Sequence, residues 1–155
     1  DSRAYGKYFD TISICLSKGL GAPVGSVILC SKELESKARR MRKVFGGGMR
    51  QAGFIAAAGL YALENNISRL KEDHARAKTL GKALANLSFV KSIMPVDTNI
   101  IIFELRDATP DLFLAKLAQH NIKALAFGHT QIRLVTHLDF DDRMLDRTIE
   151  VFNKL

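Results

Sequence analysis

One lysine, Lys18, lies in a short glycine-rich loop between two apolar segments, and its amine is the first candidate for chemistry. The segments span 12–16 and 24–29, and their length and β-branched content predict two buried strands. An amine held against apolar walls loses solvation, so its pKa falls towards the range useful for base or Schiff-base chemistry. A surface turn with a solvated lysine has the same local pattern, and the loop alone leaves both interpretations open.

A second group of candidates surrounds the glycine run 46–48. The run precedes a helix that we predict to begin near Met49, and the free amides of a helix N-terminus bind anions. Arg50, in the first turn, adds a planar donor array suited to phosphate, and Lys43 is a second cation at the other end of the loop. The alternative is a flexible hinge between helices with a solvated arginine.

The third candidate, Arg133, lies inside an apolar segment that we predict to be a strand, 131–135. A guanidinium in such a place is costly unless it is paired. A substrate carboxylate would pair with it through two parallel hydrogen bonds. The alternative is an internal ion pair with Glu104 or Asp107 on a neighbouring strand.

The composition is that of an ordinary soluble globular protein, with 47% hydrophobic and 25% charged residues in a chain of 155. The net charge of +7 would suit an anionic partner. Nucleic acid is disfavoured as that partner, because no aromatic residues interleave with the basic residues between positions 32 and 43. A basic binding module without catalytic activity is the alternative from another function class. The local excess of charge comes from Lys32, Lys37, Arg39, Arg40, Arg42 and Lys43.

The two cysteines, Cys15 and Cys30, lie in apolar contexts without C-x-x-C spacing. This favours buried free thiols in a reducing compartment over a disulfide or a metal site. His129 and His137 are eight residues apart, which is not a metal-ligand spacing, so we predict no metal. We find no signal peptide and no apolar run of the length that a membrane span needs, so we expect a cytoplasmic protein without membrane partners.

The apolar periodicity predicts alternating helices and strands, with a domain boundary between residues 66 and 67. Ser31 is the predicted cap of a helix over 32–44. The next helix, 49–64, is apolar almost all round, so we expect it to be buried in a larger core or a subunit interface. The remaining elements are a helix over 67–87, strands at 90–94 and 99–105, a helix over 110–120, strands at 122–127 and 131–135, and a last helix from 140 or 141 to 154 that Asp139 caps.

Three motifs in this order resemble the low-specificity threonine aldolases: SKGLGAPVGS at Ser17 to Ser26, GGGMRQAG at Gly46 to Gly53, and RLVTH at Arg133 to His137. These are fold-type I enzymes that use pyridoxal phosphate (PLP). The resemblance implies an α/β fold of the PLP-dependent transferase type, of which this chain is the C-terminal portion. Residues 1–66 would be the end of the large PLP domain, and 67–155 a long linking helix and the small C-terminal α+β domain.

The resemblance also implies roles for four residues. Lys18 would carry PLP as an internal Schiff base, Arg50 and Lys43 would bind the cofactor phosphate, and Arg133 would bind the α-carboxylate of an amino-acid substrate. The implied reaction is aldol cleavage of threonine or allo-threonine to glycine and acetaldehyde. The implied assembly is a homotetramer, a dimer of dimers with the active site at a subunit interface.

Other parts of the family's machinery are not expected in this chain. The acid that pairs with the pyridinium nitrogen, the histidine that stacks on the ring and the proposed base all come earlier in the family's sequence. We therefore expect this chain to be inactive by itself. Another fold-type I PLP lyase or a hydroxymethyltransferase remains the alternative within the same fold, because the lysine and arginine serve several reactions.

Overall fold

The computed structural model describes residues 2–155 and divides them into two compact units, one ending at Ser68 and one running from Arg69 to Leu155. Each unit has its own antiparallel sheet. No helix among the described residues is both long enough and apolar enough to cross a membrane.

The first unit combines a β-hairpin with helices. Its strands are antiparallel, with Thr11 opposite Cys30 and Cys15 opposite Ser26, so the loop 16–25 connects them. In chain order the elements are α1 (Ser2–Gly6), β1 (Thr11–Cys15), β2 (Ser26–Cys30), α2 (Lys32–Val44) and α3 (Gly53–Asn65).

The hairpin strands lie where the apolar pattern predicts them, but the prediction that they are buried is wrong for this unit. Ile28, in the middle of β2, is 53% exposed, and most residues of both strands are exposed. Each strand pairs only with the other within the described residues. Two strands alone form too small a sheet to bury their side chains.

The basic helix α2 occupies the predicted residues, Lys32–Val44. Ser31 has the extended backbone of an N-cap residue, but its side chain makes no capping hydrogen bond. No residue of this helix is fully buried. Its charged side chains are solvated, as in the exposed ion pair between Arg39 and Glu35 at 2.8 Å.

The next helix, α3, begins at Gly53 and not near Met49, so the prediction that Arg50 lies in its first turn is wrong. The physical reason is Gln51, whose φ of 51° is in the left-handed region and cannot continue into a right-handed helix. Within the unit, α3 buries Gly59 and Ala62, whereas Phe54 is 93% exposed. Its apolar surface is therefore mostly uncovered by the described chain.

The second unit packs helices against a four-stranded sheet of order β3-β4-β6-β5. All neighbouring strands are antiparallel. In chain order the elements are α4 (Leu70–Leu84), β3 (Val90–Ile93), β4 (Ile100–Leu105), α5 (Pro110–Gln119), β5 (Leu125–Phe127), β6 (Gln131–Val135) and α6 (Asp142–Phe152).

The two central strands alternate between a buried and an open face. Their buried residues join side chains of α4, α5 and α6 in one hydrophobic core. Phe89, Phe103, Phe113 and Phe152 form an aromatic cluster there, with ring centroids 5.0 to 6.5 Å apart. The residues of the opposite face, which we call the open face, are Ile100, Ile102, Glu104, Gln131, Arg133 and Val135.

Several predicted boundaries in the second unit differ from the structure, and two of the differences have a clear physical cause. The final helix is capped by Asp141 and not by Asp139, because Asp141 has the extended backbone and its Oδ1 accepts the Met144 amide at 2.8 Å. Strand β5 begins at Leu125 and not at Ile122. The Ile122 amide instead donates to Leu117 O at 3.0 Å and completes the end of α5.

A buried carboxylate, Asp73, connects the start of α4 to the end of β6. Asp73 is 1% exposed, and Arg69 donates two hydrogen bonds to it, at 2.7 and 3.2 Å. Thr136 Oγ1 donates to the Asp73 carbonyl oxygen at 2.7 Å, and Asn99 Nδ2 donates to the Thr136 carbonyl oxygen at 2.8 Å. This network fixes the backbone directly after β6, the strand that carries Arg133.

Replacing Asp73 with alanine should lower the free energy of unfolding of the second unit by roughly 3 kcal/mol, because Arg69 would then be left without its buried partner. Urea denaturation followed by circular dichroism measures the change. The control is Asp146→Ala, since Asp146 is an exposed carboxylate of α6 and its loss should cost less than about 0.5 kcal/mol. Equal losses in the two variants would contradict a structural role for the Asp73 network.

The ion pair between Arg76 and Asp142 should make stability depend on pH. Arg76 Nε donates to Asp142 Oδ1 at 2.7 Å, and this hydrogen bond holds the pKa of Asp142 below its usual 3.8. A carboxyl whose pKa is lower in the folded chain stabilises the fold above its unfolded pKa and loses that contribution as the pH falls through the folded value.

The Asp142→Asn variant should therefore be less stable than the parent at pH 7 and low salt, and the difference should vanish near pH 2. Thermal melts across this pH range measure it. A difference that persists unchanged at low pH would show that the asparagine acts through packing and not through charge.

Candidate functional site

The loop 16–25 carries Lys18 and is fixed by its own backbone. The Leu16 amide donates to Gly25 O at 2.9 Å and the Ala22 amide donates to Leu16 O at 3.0 Å, which closes the base of the loop. The Gly21 amide donates to Lys18 O at 2.8 Å, forming a tight turn that places Gly21 at a φ of 72°. The backbone of the lysine is therefore held from both sides.

Contacts with α3 anchor the loop further. Leu16, Leu20 and Ala22 are buried, and a Cβ on Gly59 would lie 3.2 Å from Leu16 Cδ1. Asn66 Nδ2 donates to Leu20 O at 2.7 Å. The contacts of Gly59 and Asn66 with the loop are not predicted from the sequence. A glycine inside a helix and a residue just after a helix carry no local signal of a contact with a distant loop.

The Lys18 side chain is exposed, and so is Ser17 beside it. The predicted apolar walls around the amine are not found among the described residues of the first unit, because Leu16, Leu20 and Ala22 pack inwards and serve as anchors. Cys15 lies close by, with its Sγ 3.4 Å from Ser17 Oγ. The Ser17 hydroxyl, with a smaller contribution from the charge of Lys18, lowers the pKa of the Cys15 thiol.

The glycine run 46–48 ends α2 and does not form the predicted anion site at a helix N-terminus. The Gly46 amide donates to Lys43 O at 3.2 Å, and the Gly47 amide donates to Arg42 O at 2.7 Å. These amides therefore satisfy the carbonyl end of α2, where the helix dipole is negative. A Cβ on Gly47 would lie 2.8 Å from Arg42 Cγ, which explains the glycine.

Lys43 and Arg50 remain as exposed cations on either side of this glycine run. Both belong to the first unit, as does Lys18. No hydrogen bond joins any two of these three residues within the described part of the chain. The structure thus places three of the four candidates in one unit.

Arg133 lies on the open face of the second unit, in the middle of β6. It is opposite Ile102 on β4 and opposite Leu125 on β5, so apolar residues flank it on both neighbouring strands. Its Nε is buried and has no hydrogen-bond partner among residues 2–155. An unsatisfied buried donor costs about 1–3 kcal/mol, a cost that an anion bound to the guanidinium would offset.

Glu104, one of the two alternative partners considered for Arg133, is bound to other residues. Lys91 Nζ donates to Glu104 Oε1 at 2.8 Å, and Ser92 Oγ lies 3.1 Å from Oε2. The hydrogen bond from Lys91 is the main cause of the lowered pKa of Glu104. The internal ion pair considered for Arg133 and Glu104 is therefore not formed.

No group of three or more histidine, cysteine, aspartate or glutamate side chains within residues 2–155 is arranged to hold a metal ion. The described cysteines, Cys15 and Cys30, are both free thiols. The chemistry available among the candidate residues is thus that of one exposed amine on a fixed loop, two exposed cations on either side of the glycine run, and one guanidinium in apolar surroundings.

Several known proteins are similar to this chain in sequence. Residues 1–108 match the model of the beta-eliminating lyase family. The low-specificity L-threonine aldolase 1 of Arabidopsis thaliana is 36% identical over 152 residues, which cover 96% of this chain and 42% of the relative. The low specificity L-threonine aldolase of Escherichia coli K12 is 40% identical over 139 residues, covering 90% and 40%. The chain thus spans about two fifths of the length of these relatives.

A solved structure shares the fold. A Listeria monocytogenes protein assigned as an L-allo-threonine aldolase superposes with a TM-score of 0.77 at 15% identity, over 99% of this chain and 46% of that one. The predicted α/β fold of fold-type I PLP enzymes is confirmed, and so is the resemblance to threonine aldolases. Because the family model covers well over half of the sequence, the chain belongs to the beta-eliminating lyase family, whose cofactor is pyridoxal phosphate.

Proposed function

We propose that the complete protein is a PLP-dependent aldolase that cleaves threonine or allo-threonine to glycine and acetaldehyde. The observation that carries the proposal is the loop 16–25, which presents one exposed lysine on a backbone fixed by hydrogen bonds and buried anchors. The names of the relatives at 36% and 40% identity support the choice of reaction.

The residues of the first unit fit the chemistry of PLP. The cofactor has an aldehyde, which an amine can bind covalently, and a phosphate, which cations bind. Lys18 supplies the amine, and Lys43 and Arg50 supply the cations. The amides of Gly46 and Gly47 are not part of this set, since both are bonded to carbonyl groups of α2.

Arg133 is the proposed partner of the substrate carboxylate. Its buried Nε has no partner among the residues that the structure describes, and Ile102 and Leu125 flank Arg133. Apolar neighbours lower the local dielectric, which strengthens a charge-assisted hydrogen bond between guanidinium and carboxylate. Bidentate contact would also fix the orientation of the amino acid, and orientation decides which bond to its α-carbon breaks.

When bound, PLP supplies an electron sink for cleavage of the bond between Cα and Cβ. Lys18 holds the cofactor, and its Nζ can accept or donate a proton. Lys43 and Arg50 neutralise the phosphate charge, and Arg133 positions the substrate. We propose that the acid for the ring nitrogen and the base for the β-hydroxyl lie outside these 155 residues, so that this chain is inactive by itself.

We further propose that residues 1–66 are the end of the large PLP domain and that 67–155 are the linking helix and the small domain, which the division after Ser68 supports. A homotetramer with the active site at a subunit interface is supported by the exposed apolar side chains of α3, among them Phe54 and Tyr61. The free thiols of Cys15 and Cys30 support a cytoplasmic location.

Borohydride reduction of the complete protein with PLP should leave the cofactor on Lys18, as found by peptide mapping. Lys18→Ala should remove this adduct and lower the rate of acetaldehyde and glycine formation from threonine by at least roughly 10²-fold, because holding the cofactor and moving the proton are both lost. Lys37→Ala, a change of an exposed lysine on α2, is the matched control and should retain both the adduct on Lys18 and the rate of product formation. An adduct on another lysine would refute the role of Lys18.

Arg133→Gln should lower kcat/KM for threonine by roughly 10- to 100-fold, mainly through KM, because a hydrogen bond to a charged group contributes about 1.5–3 kcal/mol. PLP binding, measured by absorbance, should be unchanged. Arg143→Gln alters an arginine whose side chain is almost fully exposed and should leave kcat/KM as it is. An unchanged KM in Arg133→Gln would exclude the proposed carboxylate contact.

A further inference from the structure

The second unit contains a cavity of about 370 Å³ that none of the four candidate site residues lines. It is formed by residues of α4, the end of α5, the end of β6 and α6. Its volume lies at the lower end of the range of about 300–1,000 Å³ that is typical of small-molecule sites. The cavity is therefore large enough for a small organic molecule.

The floor of the cavity is apolar. Leu80 and Leu134 are buried there, and Phe140 packs against the core. Two threonines also line the cavity, but their hydroxyl groups are already used. Thr136 Oγ1 donates to Asp73 O and Thr148 Oγ1 donates to Met144 O, each at 2.7 Å. The floor thus offers apolar surface and few free hydrogen-bonding groups.

The polar part of the lining is basic. Four of its side chains are His120, Lys123, His137 and Arg147, of which Lys123 and Arg147 carry a fixed positive charge, and none of the described residues that line the cavity is acidic. Arg147 has one anionic neighbour, Glu150, at 3.5 Å, in a pair that is more than half exposed and therefore weak. A ligand with a negative charge would meet attraction here, and a cation would meet repulsion.

A tight turn fixes two of these basic residues. Asn121 has a φ of 60°, and the amides of His120, Asn121 and Ile122 all donate to carbonyl groups in the last turn of α5 at 3.0 Å. This arrangement is a helix C-cap in which asparagine replaces the usual glycine. His120 and Lys123 therefore flank a rigid corner, which reduces the entropy lost when a ligand binds.

We propose that this cavity binds a small organic anion with an apolar body, of the class of medium-chain or aromatic monocarboxylates. The apolar floor receives the hydrocarbon part and the basic side chains receive the carboxylate. An inorganic anion would leave the floor in contact with water, and an apolar amine would place its charge beside the cations Lys123 and Arg147. Binding of such an anion in this cavity does not depend on the proposed aldolase reaction.

Octanoate is the probe, titrated into the complete protein by isothermal titration calorimetry at low ionic strength. We expect saturable binding of one octanoate per chain, with no saturable binding of acetate, which lacks the apolar body, or of octylamine, which has the opposite charge. Absence of saturable octanoate binding would overturn the proposal. Octylamine that binds as tightly as octanoate would overturn it as well.

Four variants locate the bound octanoate. Lys123→Glu should weaken binding about fivefold, the effect of an exposed charge interaction of about 1 kcal/mol. Met144→Trp should abolish binding by filling the cavity, and because Met144 is 50% exposed the fold should tolerate the larger ring. Lys116→Glu, at an exposed lysine that does not line the cavity, is the matched control and should bind as the parent does.

The fourth variant, Arg133→Gln, separates this site from the proposed substrate site. Octanoate affinity should be unchanged in it, even if threonine cleavage is impaired. Binding that is lost in Arg133→Gln and retained in Met144→Trp would place octanoate at Arg133 and overturn the proposal. Circular dichroism and melting temperatures of all variants establish that each is folded.

Discussion

The alternation of side chains along β6 is the constraint on which the second unit depends. Ile132 and Leu134 point into the core, so Arg133 between them must lie on the opposite face. A shift of register by one residue would bury the guanidinium in the core and expose the two apolar side chains. The five residue pairs between β4 and β6 prevent this shift, and the Asp73 network fixes the backbone just beyond the strand.

The constraint on the first unit is the position of the loop backbone, because the lysine proposed to hold the cofactor lies in a loop. A loop lysine is useful for covalent chemistry only if its backbone does not move. Here Leu16, Leu20 and Ala22 serve as anchors, and Leu16 packs closely against α3 at Gly59, where a Cβ would lie 3.2 Å from Leu16 Cδ1. The same packing leaves Lys18 exposed. Rigidity of the backbone and accessibility of the amine therefore have one cause.

The sequence predicts the secondary structure of this chain well wherever the apolar period is regular. The limits of α2 and β6 are confirmed, and the strands β1 to β4 lie within a few residues of their predicted positions. The errors occur at the ends of elements. The start of α3 and the cap of α6 depend on the backbone angles of Gln51 and Asp141, and at α6 the residue types of Asp139 and Asp141 are equally good caps.

The sequence by itself determined the family, because three motifs in a fixed order contain too many matched positions for the resemblance to have arisen by chance. It also determined which residue types are available, the amine of Lys18 and the guanidinium of Arg133 among them. Only the tertiary structure decided that Gly46 and Gly47 cap α2, that Glu104 is bound to Lys91, and that Arg133 Nε has no partner in the described part of the chain. Each of these depends on residues that the fold brings together or on backbone angles, which the order of side chains along the chain does not specify.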